Sequence, residues 1–165
     1  MDEGPDIKTL IMDKYRQFVD TLYNTGARNY LLINVPPLER TPAVIEDNTP
    51  DRVELEKAAV LDYNERLLSL IEDVKSSYSD VTVFHYDAHT LFNKVIDDPS
   101  QFSLTERYKD VTTVCEAYED GTPEPNTEYD ECDYGADEYL WSNTFHPTWP
   151  IHKLLAQELS ELLSS

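Results

Sequence analysis

Basic residues are scarce in this sequence. Its 13 lysines and arginines stand against 33 aspartates and glutamates, for a formal net charge of -20 at pH 7. Such a chain repels phosphate backbones and anionic lipid, so we expect neither a nucleic acid nor a membrane as partner. Long hydrophobic runs are also missing, since no stretch of about 18 apolar residues could span a bilayer. The first residues, MDEGPD, are acidic where a signal peptide is basic and then apolar, so we expect no export signal in the chain.

Cysteine is nearly absent as well. Cys115 and Cys132 lie in the polar, turn-rich segment VCEAYEDGTPEPNTEYDECDYG. Their spacing is not the CxxC of a redox or zinc site. A disulfide between them would stabilise the fold by roughly 3 kcal/mol in the chain-entropy model. The residues alone leave two free thiols in a reducing compartment as an equal alternative.

What is present is enough for one domain, because 40% of the 165 residues are hydrophobic. We expect residues 1–165 to form a single partial domain. Apolar residues at steps of three and four predict a helix over about 7–23 that packs by one face. They are Ile7, Leu10, Ile11, Phe18, Val19 and Leu22. Gly26 ends this helix, and YLLINV (30–35), closed by two prolines, predicts a strand buried on both faces.

The remaining segments continue the alternation. A helix is predicted from Thr49 and Pro50 to about Ser76, then a strand over VTVFHY (81–86), then a short helix over 87–98 capped by Asp87. Residues from about 100 to 138 are acidic and irregular, and a last helix starts at Pro147 or soon after. The inner residues expected of the two long helices are Val60, Leu67, Ile71, Val74, Ile151, Leu155, Leu159 and Leu162. The order predicts an α/β fold with parallel strands, but two strands are too few, so the chain is typical of the second half of a larger domain.

Three segments carry a resemblance to a known family. ARNYLLINVPPLERTP, VFHYDAHTLFNKVIDDP and YLWSNTFHPTWPIHKLLAQEL resemble the C-terminal half of an SGNH (GDSL-type) hydrolase, most closely the fungal carbohydrate esterases of family sixteen, which are acetylesterases. The resemblance implies a three-layer α/β/α sandwich with a parallel sheet, from which the N-terminal part is missing. It also implies a secreted protein, which favours the bridge between Cys115 and Cys132. No cofactor and no metal are implied.

The resemblance assigns a role to His146. The family's late DxxH block falls on NTFHP, so His146 is expected to be the general base, with Asn143 at the position of the family's aspartate. An amide oxygen orients an imidazole but does not stabilise imidazolium as a carboxylate does. Asp137 and Glu138 are the nearest preceding acids that could substitute. Without the resemblance, the residues around His146 favour a structural role as a cap in a loop.

The family's other catalytic blocks are absent from this sequence. It contains no GDS, no GxND and no GxSxG segment. Acyl transfer by a serine needs nucleophile, base and oxyanion donors together, so we expect the chain alone to be inactive. It is then the base-bearing part of an acetylesterase acting on acetylated carbohydrate or another small ester, working with a missing N-terminal half. The alternative is a noncatalytic protein, either a pseudoenzyme that binds carbohydrate or an interaction module that uses the uncovered sheet edge.

Two further clusters have both a functional and a structural interpretation. His85, Asp87 and His89 alternate at the end of the second strand and carry metal-ligand atoms, but Asp87 also suits a helix cap, and we predict no metal. Trp141, Phe145 and Trp149 beside His146 form either a platform for sugar rings or part of the core.

Overall fold

Helices and strands alternate along the chain in the computed structural model, which describes residues 6–164. The helices are α1 (Ile7–Asn24), α2 (Pro42–Ile45), α3 (Arg52–Ser77), α4 (Ala88–Asp97) and α5 (Trp149–Ser164), and the strands are β1 (Asn29–Ile33) and β2 (Thr82–Tyr86). The two strands are parallel neighbours, which confirms the expected α/β fold with a parallel sheet. Over residues 6–164, no helix is long and apolar enough to cross a membrane.

The chain divides into two compact units. The first comprises the segment up to Val35 together with Leu61–Asp87, and the second comprises Pro36–Val60 together with the chain from Ala88 onward. That residues 1–165 form one partial domain stays a prediction.

The first unit is built on one face of the sheet. In the parallel register Tyr30 is paired with Val83, and Leu32 with His85, so these four side chains point to the same side. Tyr30 and Leu32 are buried there against Val19 of α1 and against four residues of α3. The α3 residues are Leu67, Leu70, Ile71 and Val74. Two helices therefore cover this face of the sheet.

Asparagines fix the segment that leaves β1. The Asn64 side chain accepts the backbone N–H of Val35 and donates to its carbonyl, both at 2.9 Å. The Asn34 side chain donates to Asp87 Oδ1 at 2.7 Å. Because backbone groups that leave a sheet need new partners, these amides hold the chain where it turns out of β1.

The predicted inner face of α1 is wrong. Val19 is 3% exposed, but Phe18, from the same predicted stripe, is 66% exposed. The other exposed residues of that stripe are Ile7, Leu10, Ile11 and Leu22. The inward face is instead set by Met12, Tyr15 and Val19, which lie about 100° further round the helix. Helix α1 thus has two apolar faces, and the larger is open to solvent within this chain.

Helix boundaries follow the sequence closely, but one helix start and one buried position differ from the prediction. The predicted start of α3 at Thr49 and Pro50 is wrong, because Asp51 has a positive φ of 60° and the helix begins at Arg52. In α5, Ile151 is buried as expected, but Leu154 is buried in place of Leu155. The residues half-buried in α5 include Leu155, Leu159 and Leu162.

In the second unit, residues 100–138 form short 3-10 turns and loops, as the irregular sequence indicates. Cys115 and Cys132 are joined by a disulfide with Cα atoms 5.8 Å apart, which confirms the bridge. Beside it Tyr118, Ala136 and Tyr139 form a small buried cluster. A loop too polar to form its own core is thereby held by one covalent link and three apolar side chains.

Candidate functional site

His146 lies in a tight turn just before α5. The backbone N–H of Ser142 donates to the His146 carbonyl at 2.8 Å, and the Ser142 hydroxyl donates to the same oxygen at 2.9 Å. Four residues further apart along the chain, the N–H of Thr148 donates to the Leu140 carbonyl at 2.7 Å. The two short segments therefore run antiparallel, and residues 143–145 form the tip of the turn.

Two contacts hold this turn in place. At its tip, the Thr144 carbonyl accepts the N–H of Ala43 in α2 at 3.0 Å. At its base, the Tyr108 hydroxyl accepts the N–H of Ile151 at 3.0 Å and lies 3.1 Å from the Thr148 hydroxyl. Burial raises the pKa of Tyr108 to about 12, so the phenol is neutral across the physiological range. Helix α5 consequently starts from a fixed position.

The Asn143 side chain organises the turn around His146. Its Oδ1 accepts the backbone N–H of Phe145 at 2.9 Å and that of His146 at 2.8 Å, and lies 2.9 Å from the ring Nδ1 of His146. Because backbone N–H groups are donors, the atom that accepts them is the amide oxygen, and Nδ1 must carry a hydrogen to bond it. In the neutral imidazole the lone pair then sits on Nε2. The exposed ring thus presents its basic nitrogen away from the turn.

The two acids suggested as substitutes are engaged by other groups. Asp137 is 4% exposed and forms an ion pair with Arg107. Glu138 Oε2 accepts the backbone N–H of Gly135 at 3.1 Å, as part of a capping box. The hydrogen-bond partner of the His146 ring is Asn143, as the resemblance implies, although its catalytic role stays a prediction.

The structure separates the three aromatic residues by exposure. Trp141 is 3% exposed and its indole N–H donates to the Val111 carbonyl at 2.9 Å, so this ring belongs to the core. Phe145, at the tip of the turn, is 47% exposed, and Trp149 is 36% exposed. Of the three residues predicted to contact sugar, Phe145 and Trp149 are exposed, and their contact with sugar stays a prediction.

The alternating histidines show no metal geometry. Asp87 accepts the hydrogen bond from Asn34, and His89 Nδ1 lies 3.2 Å from the Asn93 side-chain nitrogen in α4. Within the part of the chain that the structure describes, no three or more His, Cys, Asp or Glu side chains are grouped to hold a metal ion.

A cavity lies beside the turn, and the sequence patterns did not predict it. It has a volume of about 420 Å³, and its walls include Tyr118, Pro123, Ser142 and Trp149. The available signal was the segment GTPEP (121–125), whose turn residues sit inside an otherwise acidic loop. Only the disulfide and the chain fold bring that segment to residues near His146.

Comparison with known proteins shows the family of this chain. Residues 6–159 match the model of the GDSL-like lipases/acylhydrolases, and the chain belongs to that family. An acetylesterase of Thermothelomyces thermophilus is 30% identical over 151 residues, which is 92% of this chain and 43% of the relative. A GDSL esterase/lipase of Arabidopsis thaliana is 24% identical over 150 residues, 89% of this chain and 40% of the relative. A thermolabile hemolysin of Vibrio parahaemolyticus is 22% identical over 158 residues, 95% of this chain and 36% of the relative. The chain spans less than half the length of each.

Proposed function

We propose that this chain is the base-bearing part of a serine ester hydrolase, an acetylesterase of the carbohydrate esterase family sixteen type that removes acetyl groups from carbohydrate. The observation that carries the proposal is the Asn143–His146 turn, in which the ring Nδ1 is held by Oδ1 and Nε2 is left as the basic nitrogen. The family membership and the acetylesterase relative support the ester-hydrolase chemistry.

In this mechanism His146 moves one proton twice. Its Nε2 takes the hydrogen of a serine hydroxyl as the serine oxygen attacks the acetyl carbonyl, and the imidazolium then gives that proton to the departing alcohol oxygen, which leaves the acetyl group on the serine. Water then attacks the acetyl-serine, Nε2 takes a proton from the water and returns it to the serine oxygen, and acetate is released. Asn143 keeps the ring in the required tautomer, but its neutral oxygen stabilises the imidazolium less than a carboxylate would. The His146 ring is therefore held in the required orientation, but its charged form is stabilised only weakly by Asn143.

The serine and the oxyanion donors come from a second polypeptide segment, because the sequence contains neither a GDS nor a GxND block. Two observations support such a segment. The relatives are more than twice as long as the part this chain matches. Helix α1 also leaves Ile7, Leu10, Ile11 and Phe18 exposed on one face, where the serine-bearing half would cover them. The disulfide fits a secreted protein, since such bonds persist in oxidising compartments.

A chimera tests the proposal. This chain replaces the matched 43% of the Thermothelomyces acetylesterase, and the rest of that enzyme supplies the other half. The isolated chain should show no saturable hydrolysis of p-nitrophenyl acetate beyond free imidazole, whereas the chimera should turn it over. His146→Ala should lower the rate of the chimera by about 10² to 10⁴-fold or more, and Asn143→Asp should raise it or leave it unchanged. Saturable turnover by the isolated chain that survives His146→Ala would place the chemistry elsewhere.

A noncatalytic role is the second candidate, favoured by the amide at position 143 and by the open apolar face of α1. In that case the chimera would assemble as a folded, soluble protein and remain inactive, and Asn143→Asp would not restore hydrolysis. The chain would then be a carbohydrate-binding or interaction module.

A further inference from the structure

Two tyrosine rings stack face to face in the first unit. Tyr23 lies in α1 and Tyr78 directly follows α3, and their ring centroids are 3.7 Å apart with the planes 16° from parallel. Aromatic pairs in proteins usually keep their centroids about 4.5–7 Å apart. A second stacked pair, Tyr118 and Tyr129, is within that range at 5.3 Å. The carbon atoms of the Tyr23 and Tyr78 rings are therefore in direct van der Waals contact.

Each of the two hydroxyl groups donates to a carboxylate. The Tyr23 hydroxyl donates to Asp80 Oδ1 at 2.9 Å, and the Tyr78 hydroxyl donates to Asp20 Oδ1 at 2.8 Å. These hydrogen bonds raise the pKa of both phenols, because an acceptor for the phenol proton favours the neutral form. At neutral pH both rings are therefore neutral phenols, and each has a base within hydrogen-bond reach of its proton.

An arginine anchors each of these carboxylates. Arg28 Nε donates to Asp80 Oδ2 at 2.6 Å, and its guanidinium lies 4.0 Å from the Tyr23 ring centroid. Arg16 Nε donates to Asp20 Oδ1 at 2.8 Å, and its guanidinium lies 5.4 Å from the centroid of the other ring. Because each arginine is paired with a carboxylate, neither ring faces an uncompensated positive charge that would oppose the loss of an electron. The two proton acceptors are thereby fixed beside the rings.

This arrangement suits the removal of one electron from each ring. A phenol that loses an electron becomes a strong acid, so its oxidation is easiest where the proton can leave at the same time along a hydrogen bond. Two phenoxyl radicals in contact then couple through carbons ortho to their oxygens, and the hydrogens on those carbons move to the oxygens to restore both phenols. Two electrons go to the oxidant, and two protons go to the aspartates and from there to water. We propose that Tyr23 and Tyr78 form an oxidative modification site, at which a one-electron oxidant joins the two rings as dityrosine.

The tyrosine pair is accessible, and it joins two segments of the first unit. Tyr23 and Tyr78 are both half-buried, so a small oxidant in solution reaches them. The new bond ties the end of α1 to the turn before β2. Cys115 and Cys132 both belong to the second unit, and the sequence of the first unit contains no cysteine. Dityrosine thus gives the first unit the covalent link that the disulfide gives to the second.

Photo-oxidation of the complete chain tests the proposal. The oxidant is tris(bipyridine)ruthenium(II) with persulfate under visible light, at a protein concentration low enough that separate chains do not couple. The product should show dityrosine fluorescence, its intact mass should fall by two hydrogens, and trypsin should release the peptides of residues 17–28 and 76–94 joined to each other.

A second tyrosine pair provides an internal comparison. Tyr118 and Tyr129 lie together in the tryptic peptide of residues 110–153, and the Tyr118 hydroxyl donates to the Tyr134 carbonyl, which is a much weaker base than a carboxylate. The link between residues 17–28 and 76–94 should form at least about fivefold more often than coupling inside residues 110–153. Absence of that link, or equal coupling inside residues 110–153, would overturn the proposal.

Matched variants identify the rings and the bases. Tyr78→Phe keeps the stacked ring but removes its hydroxyl and should abolish the link, whereas Tyr134→Phe, at an exposed tyrosine outside the pair, should leave the yield within about twofold. The double variant Asp20→Asn, Asp80→Asn keeps hydrogen-bond acceptors but replaces both bases by amides, and should lower the yield at neutral pH by about 3- to 10-fold. At about pH 10, where phenols begin to ionise without a neighbouring base, the double variant should approach wild type. A link that persists in Tyr78→Phe, a double variant that matches wild type at neutral pH, or an equal loss at both pH values would overturn the proposal.

Discussion

Oδ1 of Asn143 lies 2.9 Å from Nδ1 of His146 and at the same time accepts the backbone N–H of His146 at 2.8 Å. One amide oxygen therefore sets both the backbone of the turn and the tautomer of the ring. Asn143→Ala should release the ring, so that Nδ1 is no longer held as the protonated nitrogen and the fraction of the Nε2–H tautomer rises. ¹⁵N chemical shifts of the two ring nitrogens measure the change.

Asn143→Asp provides the matched comparison. A carboxylate at this position can still accept the hydrogen on Nδ1, so Asn143→Asp should keep the wild-type tautomer whereas Asn143→Ala loses it. ¹⁵N chemical shifts of the two ring nitrogens, assigned with His146→Gln, compare the two variants directly. If Asn143→Ala leaves the tautomer unchanged, Asn143 acts only on the backbone.

Neighbouring residues of α1 give the next prediction. Val19 is 3% exposed and packs in the core of the first unit, whereas Phe18 is 66% exposed on the open apolar face. Val19→Ala should lower the free energy of unfolding by about 1–3 kcal/mol, because it removes buried carbon and leaves a cavity. Phe18→Ala, which deletes a larger side chain, should change it by no more than about 0.5 kcal/mol. Urea denaturation followed by far-UV circular dichroism compares the two variants, and a larger loss for Phe18→Ala would mean that the open face is covered within this chain.

This contrast also shows where sequence reasoning succeeds and fails. Periodicity located α1, because spacing of apolar residues is a local property, and it found the buried residues Leu67 and Val74 of α3. It did not choose between the two apolar faces of α1. That choice depends on which helix and strand lie beside α1, and the α1 residues that pack in the hydrophobic core of the first unit are Met12, Tyr15 and Val19.

Only part of the candidate site was predictable from the sequence. Asn143 and His146 are three residues apart, so their contact was predictable from a short motif. The cavity brings Thr122 to Ser142, and this depends on the path of an irregular loop with little periodicity. Trp141 and Trp149 look equivalent in sequence, and only tertiary packing buries one ring and exposes the other.

Loss of the disulfide should destabilise the loop between Cys115 and Cys132 more than the rest of the chain. Cys115 and Cys132 are 17 residues apart, and closing a loop of this size stabilises a fold by roughly 3 kcal/mol. The double variant Cys115→Ser, Cys132→Ser should therefore unfold at lower urea concentration. It should also expose Tyr118, whose cluster packs beside the bridge. Intact mass should rise by two hydrogens on reduction of the wild-type chain, and no rise would mean that the thiols are free.

Tyr108 gives a prediction about alkaline pH. Burial raises its pKa from 10.0 to about 12, so the folded chain holds this proton more tightly than the unfolded chain does. The associated stability is fully present below pH 10 and is lost as the pH rises from 10 to 12. Two pKa units correspond to about 3 kcal/mol. The loss should appear as a falling free energy of unfolding over that interval.

Tyr108→Phe separates this effect from the titration of the other tyrosines. At pH 8 the variant should be less stable than wild type by about 1–3 kcal/mol, because the N–H of Ile151 loses its buried acceptor. Between pH 10 and 12 it should lose less stability than wild type, so that the gap between the two narrows or reverses. Urea unfolding at pH 8 and pH 11 measures the gap, with Tyr134→Phe, an exposed tyrosine, as the control for removing one phenol. A gap that stays constant over this range would mean that Tyr108 does not titrate between the folded and unfolded states as its burial requires, and that its hydroxyl contributes to the start of α5 only as a neutral acceptor.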